Sequence, residues 1–127
     1  MKSVKLTITV PKKVLDEAFV HAQLDNFCMY KKEYIDWNYL IKKLLDAYSM
    51  GTYILIKNNT YKYSKSEMRK KETVTVYVPT ECIRNASKKA VEEGIYHDIS
   101  HVNINELVTK ILELYSQGVF VITGGVE

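Results

Sequence analysis

Two short stretches of the chain alternate between apolar and polar residues, and each ends at a proline. In residues 4–10 aliphatic side chains occupy every second position, which is typical of a strand with one buried face. Residues 73–78 repeat the alternation with valine at each apolar position. Proline offers no N–H to a β-ladder and suits the first turn of a helix, so Pro11 and Pro79 are predicted to end strands and to precede helices.

Each proline is followed by two segments with apolar residues at helical spacing. We predict a first helix over residues 12–25 in one half, and over residues 80–93, before Gly94, in the other. The second helix has the clearer apolar stripe in both halves. Its positions are Leu40, Ile41, Leu44, Leu45 and Tyr48 in the first half, and Leu107, Val108, Ile111, Leu112 and Tyr115 in the second.

The ends of the second helices are marked by capping residues. Asp36 and Asn103 stand at the expected N-cap positions, and Glu106 would complete a capping box with Asn103. Gly51 and Gly118 follow the last apolar positions, where a glycine commonly ends a helix.

These elements belong to an internal repeat. Residues 4–51 align with residues 72–118 when Pro11 is set on Pro79 and one residue is deleted between the helices. The other identical pairs are Thr7 and Thr75, Val10 and Val78, Ala18 and Ala86, Ala22 and Ala90, Asn38 and Asn105, Leu40 and Leu107, Lys43 and Lys110, Leu45 and Leu112, Tyr48 and Tyr115, Ser49 and Ser116, and Gly51 and Gly118. The chain therefore contains one strand-helix-helix unit twice.

The segment between the repeats is polar and basic in its second part. Its first part, TYILIKNNTYKY, can form a hairpin around Asn58 and Asn59. The similar stretches YILIK and VFVIT each follow the glycine that ends a second helix, so each predicts a short apolar strand. The predicted division is residues 1–51 for the first unit, 52–72 for the linker, and 73–127 for the second unit with its C-terminal strand.

A single strand with one buried face needs a partner strand. We predict that the two alternating segments pair antiparallel about a pseudo-twofold axis, within one chain or between two. The predicted fold is mainly α with a short antiparallel β-ribbon. Its outward side chains would be Lys5, Thr7, Thr9, Thr73, Thr75 and Tyr77.

Composition and charge narrow the function. The chain is 46% hydrophobic and 26% charged, as in soluble globular proteins, and has neither an apolar stretch of membrane-spanning length nor a signal-peptide pattern, so we expect a cytoplasmic protein.

Residues 1–72 carry 14 basic and 8 acidic residues, a net +6, whereas residues 73–127 carry 4 and 7, a net −3. This asymmetry suggests an acidic partner for the first half. Cys28 and Cys82 lack metal or redox spacing and are expected to be buried.

Catalytic motifs do not stand out. His97 and His101 have the spacing of metal ligands on a helix, but nothing nearby supplies further ligands, so they are interpreted as loop histidines. The chain has no phosphate-binding glycine loop, nucleophile elbow or paired catalytic carboxylates. We expect neither an enzyme nor a cofactor, metal or small-molecule substrate.

The alternating strand KLTITVP, the helix after it and the later Asn-x-x-Leu helix resemble the ribbon-helix-helix (MetJ/Arc-like) family of DNA-binding regulators. The resemblance covers both repeats. The tandem single-chain form is similar to regulators of conjugative plasmids and filamentous archaeal viruses. If the chain is viral, the resemblance implies that it acts in the cytoplasm of the host cell. It implies that the six outward residues read bases in double-stranded DNA. It also implies that Asn38 and Asn105 contact phosphates. Lys12 and Lys13 are further candidates for phosphate contact, because they lie beside the ribbon. The chain departs from the family in having Asp36 near a phosphate site and no basic residue in the second strand, so its second half would bind more weakly or read a different half-site.

The expected function is a sequence-specific transcription regulator, with repression as the expected effect and oligomerisation on DNA. Two alternatives remain. The first is a protein-interaction or antitoxin-like module whose short strands at residues 53–57 and 119–123 capture a partner by edge pairing. The second is a non-specific nucleoprotein coat.

Overall fold

The computed structural model describes residues 2–25, 36–56 and 63–123. Over these ranges the fold is mixed, with five α-helices and two antiparallel sheets of two strands each. In chain order the elements are β1 (Ser3–Pro11), α1 (Lys12–Leu24), α2 (Trp37–Met50), β2 (Tyr53–Leu55), α3 (Lys65–Arg69), β3 (Lys71–Pro79), α4 (Thr80–Glu92), a 3-10 helix (Ile99–His101), α5 (Ile104–Ser116) and β4 (Phe120–Ile122).

The predicted strands before both prolines and the four predicted helices are confirmed. β3 begins at Lys71, inside the segment predicted as linker. The same segment contains α3, which was not predicted: Ser64 Oγ accepts from the Glu67 amide, and Glu67 Oε1 accepts from the Ser64 amide, in a capping box. The hairpin predicted around Asn58 and Asn59 lies outside the described residues.

β1 pairs with β3 in a register that follows the repeat. Thr7 lies opposite Thr75, its equivalent in the other half. Every other pair is then repeated on the far side of this central pair, so that Lys5 opposite Tyr77 corresponds to Thr73 opposite Thr9. Such a register places a pseudo-twofold axis through the middle of the ribbon.

Two hydrogen bonds just beyond the ends of the β1–β3 ladder are related by the same pseudo-twofold axis. The Lys12 amide donates to the Lys70 carbonyl at 2.7 Å, and the equivalent Thr80 amide donates to the Lys2 carbonyl at 3.1 Å. These bonds join the start of each first helix to the strand of the other half, so the two halves hold each other at both ends of the ribbon.

The predicted short strands also exist, and they pair with each other. Ile54 of β2 lies opposite Val121 of β4, again equivalent positions of the repeat. α2 runs from the edge of β3 towards β2, over a length of about 20 Å. The β2–β4 sheet therefore lies at the opposite end of the second helices from the β1–β3 ribbon.

The core lies between the ribbon and the helices. The inward faces of β1 and β3 bury Ile8, Val10 and Val76, and one continuous apolar cluster spans both halves. α2 packs on α4 and α1 packs on α5, so each second helix packs on the first helix of the other half. Both predicted apolar stripes are fully buried.

The caps of the second helices largely follow the sequence. Asp36 accepts from the Tyr39 amide, and Asn103 accepts from the Glu106 amide. The Glu106 carboxylate accepts from the Tyr96 hydroxyl at 2.6 Å. One bond of the predicted capping box is therefore present, from the Glu106 amide to the Asn103 side chain. The Glu106 side chain binds the Tyr96 hydroxyl instead of the Asn103 amide.

The two cysteines have different outcomes. Cys82 is buried in the core, as predicted, and burial raises the pKa of its thiol to about 11. Cys28 lies outside the described residues.

Candidate nucleic-acid interface

The outer face of the β1–β3 ribbon carries a continuous row of exposed polar side chains. Even-numbered residues at the centre of each strand point into the core, so the odd-numbered residues point outward. All six predicted base-reading residues lie on this face and are exposed: Lys5, Thr7, Thr9, Thr73, Thr75 and Tyr77. Their role in reading bases stays a prediction, but the structure brings them together on one surface.

The ladder geometry brings these outward side chains close to one another. The bond from the Lys12 amide to the Lys70 carbonyl makes the even-numbered pairs of β1 the hydrogen-bonded ones, so the outward pairs are the non-hydrogen-bonded ones, with the shorter Cα separation. Thr9 Oγ1 and Thr73 Oγ1 are in fact 2.9 Å apart and share a hydrogen bond. The surface is therefore narrow, with only the two strands of the ribbon across its width.

Asn38 joins the start of α2 to the ribbon. Its Oδ1 accepts a hydrogen bond of 2.8 Å from the Tyr77 amide, which points away from β1 at the free edge of β3. The side chain predicted to assist phosphate binding thus has its acceptor oxygen engaged by the strand. Its NH₂ group is the part with the chemistry to donate to a phosphate.

Asn105 occupies the equivalent place in the other half. It lines an open groove of about 770 Å³ between the free edge of β1 and α5, together with Thr7, Thr9 and Lys110. The two predicted phosphate anchors therefore flank the ribbon on opposite edges. At both places the start of a helix lies beside the strand, where the helix dipole favours an anion.

The predicted lysine contacts differ in their surroundings. Lys12 is exposed and lies 3.9 Å from Asp16. Lys13 is half-buried and lies 3.3 Å from Glu17 and 3.7 Å from Glu67. Because two carboxylates already neutralise Lys13, Lys12 is the better placed of the two for phosphate contact.

Sequence reasoning missed Lys71. This exposed residue lies at the start of β3, opposite Pro11, at the end of the ribbon that carries Thr9 and Thr73. Residues 71–73 are all exposed, so no alternation marks the start of the strand in the sequence. Lys71 places a positive charge at this end of the ribbon and interacts electrostatically with Glu113 in α5.

The second sheet has an apolar outer surface. Alternation from the buried Phe120 places Ile54, Ile56 and Val121 on its outer side. Ile54 is 52% exposed and Ile56 is 42% exposed. Leu55, on the other side of the strand, is 47% exposed, so this short strand presents apolar side chains to solvent on both faces.

The predicted loop histidines lie at and before the 3-10 helix. His101 Nδ1 is 2.7 Å from Asp98 Oδ1, and hydrogen bonds from Ser100 and His101 hold the pKa of Asp98 below its usual value. Among the residues that the structure describes, no three His, Cys, Asp or Glu side chains are grouped as metal ligands. In the same part of the chain no helix is both long and apolar enough to span a membrane.

The candidate site is therefore a narrow polar ribbon with two helix starts beside its edges. Its donors and acceptors are hydroxyl groups, a lysine and a phenol. Comparison with protein-family models, curated proteins and solved structures finds no match to this chain.

Proposed function

We propose that the protein is a sequence-specific regulator of transcription that binds double-stranded DNA. In this proposal the two repeats are tandem ribbon-helix-helix units forming a pseudo-dimer, and the β1–β3 ribbon enters the major groove. The observation that carries the proposal is the row of six exposed polar side chains on a two-stranded antiparallel ribbon.

Dimensions and chemistry support this function. The major groove of B-DNA is about 12 Å wide and admits a two-stranded β-ribbon. Lysine, threonine and tyrosine side chains can donate to or contact base edges there, while the starts of α2 and α5 lie at the two edges where phosphates would pass. Occupation of a promoter by such a protein would block access to it, so repression is the expected effect, and we expect several copies to bind side by side.

Mobility shifts on DNA from upstream of the protein's own gene test the proposal. We expect Lys5→Ala, Thr7→Ala and Thr75→Ala each to weaken specific binding by about 1 to 3 kcal/mol. Lys88→Ala is the matched control, because this lysine is exposed in the C-terminal half of α4 and away from the ribbon. Ribbon variants that bind with the parent's affinity and sequence preference would remove the proposal. Binding without any sequence preference would favour the nucleoprotein coat.

A protein-interaction module is the second candidate, favoured by the apolar outer surface of the β2–β4 sheet. Exposed Ile54 and Ile56 offer a surface and a strand edge to a partner protein. Salt separates the two functions, because phosphate contacts weaken steeply as salt rises whereas edge pairing does not. An Ile54→Lys variant that keeps DNA binding but loses a protein partner would show that both surfaces are used.

A further inference from the structure

The two ends of the β1–β3 ribbon present different side chains although their backbones are equivalent. One step from the central pair, Lys5 lies opposite Tyr77 at one end and Thr9 lies opposite Thr73 at the other. The repeat equates Lys5 with Thr73 and Tyr77 with Thr9. Both members of the pair therefore differ, and the chemical symmetry of the surface is broken at the positions nearest its axis.

The Lys5 end offers strong donors. Lys5 carries three N–H donors and no acceptor, which suits the O6 and N7 acceptors of guanine. Tyr77 is 52% exposed, and its phenol adds a donor and an acceptor beside the lysine. Guanine is therefore the base that this end accommodates best.

At the threonine end, the Thr9–Thr73 pair offers little hydrogen-bonding capacity, and the positive charge of Lys71 lies further out, beyond Thr73. The hydroxyls of Thr9 and Thr73 are 2.9 Å apart and bond to each other, so one hydroxyl proton is used within the protein. Their methyl groups remain as contacts for the 5-methyl group of thymine. This end therefore favours an A·T pair.

The helix starts beside the two ends do not differ in charge. The start of α2, beside Tyr77, is capped by the carboxylate of Asp36, and the first turn of α5, beside the groove that Thr9 lines, contains the carboxylate of Glu106. The difference between the two ends therefore lies in the side chains of the ribbon itself.

We propose that the protein binds a non-palindromic DNA site in one orientation, with a guanine half-site under Lys5 and Tyr77 and an A·T half-site under Thr9 and Thr73. The proposal rests on the proposed DNA-binding function. It assigns the specificity of each half-site to one pair of residues.

Selection from a library of DNA duplexes with a randomised core tests it, using the full chain. We expect a consensus whose halves differ, with guanine enriched on one side only. Lys5→Thr with Tyr77→Thr makes the pairs next to the centre alike at both ends, so the consensus should become palindromic at these positions and lose the guanine. Thr73→Lys with Thr9→Tyr should give a palindrome with guanine in both halves. All four residues are exposed, and circular dichroism checks that the variants fold as the parent does.

A single-site measurement complements the selection. Replacing the selected guanine by adenine should weaken the parent about tenfold or more, and should cost Lys5→Thr nothing further. Lys71→Ala is the control, because Lys71 lies at the other end of the ribbon from Lys5, so its loss should weaken binding to both duplexes equally.

The outcomes separate the two proposals. A palindromic consensus from the parent, or an asymmetric one that both double variants retain, would overturn the orientation proposal and leave specific DNA binding intact. No enriched sequence at all would overturn the proposed function and this inference with it.

Discussion

The hydroxyl of Tyr115 in α5 donates a hydrogen bond to Asp25, just past the end of α1, with 2.6 Å between Oη and Oδ2. Tyr48 in α2 makes the equivalent bond to Glu93, just past the end of α4, at 2.8 Å. Both rings are buried. Each bond joins the second helix of one half to the first helix of the other, so the pair holds the two halves together.

Removing one of these hydroxyls should destabilise the fold measurably. We expect Tyr115→Phe to lower the free energy of unfolding by about 1 kcal/mol, because the hydrogen bond to the exposed Asp25 side chain is lost while the ring stays packed. Urea unfolding measures the loss, with no expected change in the slope. Tyr77→Phe, at an exposed ring, is the control and should change stability by less than about 0.5 kcal/mol. A Tyr115→Phe protein as stable as the parent would contradict the expectation.

The tyrosine–carboxylate pairs also predict instability in alkali. Burial and the bond to Glu93 raise the pKa of Tyr48, and burial with the bond to Glu106 raises the pKa of Tyr96 to about 12. An unfolded tyrosine ionises near pH 10, so the unfolded state releases these protons first. The stabilisation is therefore complete below about pH 10 and is lost as the pH rises from there towards about 12.

Urea midpoints measured at rising pH test this behaviour. The parent should lose stability steeply above about pH 10, and Tyr48→Phe should lose less over the same interval because it has one fewer raised group. Parallel curves for the two proteins would show that Tyr48 does not contribute.

Core packing gives a larger effect. Leu44 lies in the buried stripe of α2 with 1% of its surface exposed, so Leu44→Ala should cost about 2 to 5 kcal/mol. Leu24 at the end of α1 is 74% exposed, and Leu24→Ala should cost less than about 0.5 kcal/mol. Thermal or urea unfolding of the pair compares the same substitution in two environments. Equal losses would mean that α2 does not face the core.

The backbone at Gly51 predicts a loss that does not come from a clash with other parts of the fold. Its φ is +72°, and a Cβ added there would meet nothing within 4 Å. Gly51→Ala should still cost about 1 kcal/mol, because a side chain disfavours the left-handed conformation. Gly51→Asn should cost less, since asparagine tolerates that conformation better. Equal stability of the two variants in urea unfolding would argue against this explanation.

The contact between Asn38 and the Tyr77 amide can be tested residue by residue. Asn38→Ala removes the acceptor, so exchange of the Tyr77 amide hydrogen should become faster. Hydrogen exchange followed by NMR reports it directly. Asn105→Ala, the equivalent change in the other half, should leave the Tyr77 amide unaffected, and faster exchange in that variant would indicate a global and not a local effect.

Local pattern was enough to predict most of the fold. Alternation before Pro11 and Pro79 fixed which face of each strand is buried, and the helical stripes fixed the inward faces of α2 and α5. The repeat predicted antiparallel pairing, which the register of Thr7 opposite Thr75 bears out. The same reasoning placed all six outward residues on one surface.

Contacts between distant residues could not be predicted in this way. Asn38 and Tyr77 are 39 residues apart, and periodicity says nothing about which side chain meets which amide across the fold. The start of β3 was missed because Lys71 and Glu72 are polar and blur the strand boundary. In contrast, Ser64 and Glu67 form a recognisable capping box, so α3 was within reach of the sequence.

The pairing of β1 with β3 inside one chain changes how binding depends on protein concentration. Two-stranded ribbons made by separate subunits come apart on dilution, because their association is bimolecular. Here residues 12–70 join the two strands covalently and keep the partner strand at a high effective concentration. The ribbon should therefore persist at the low copy numbers at which a homodimer would dissociate. Under the proposed function, occupancy of a DNA site by one chain should rise in proportion to the amount of chain and not to its square.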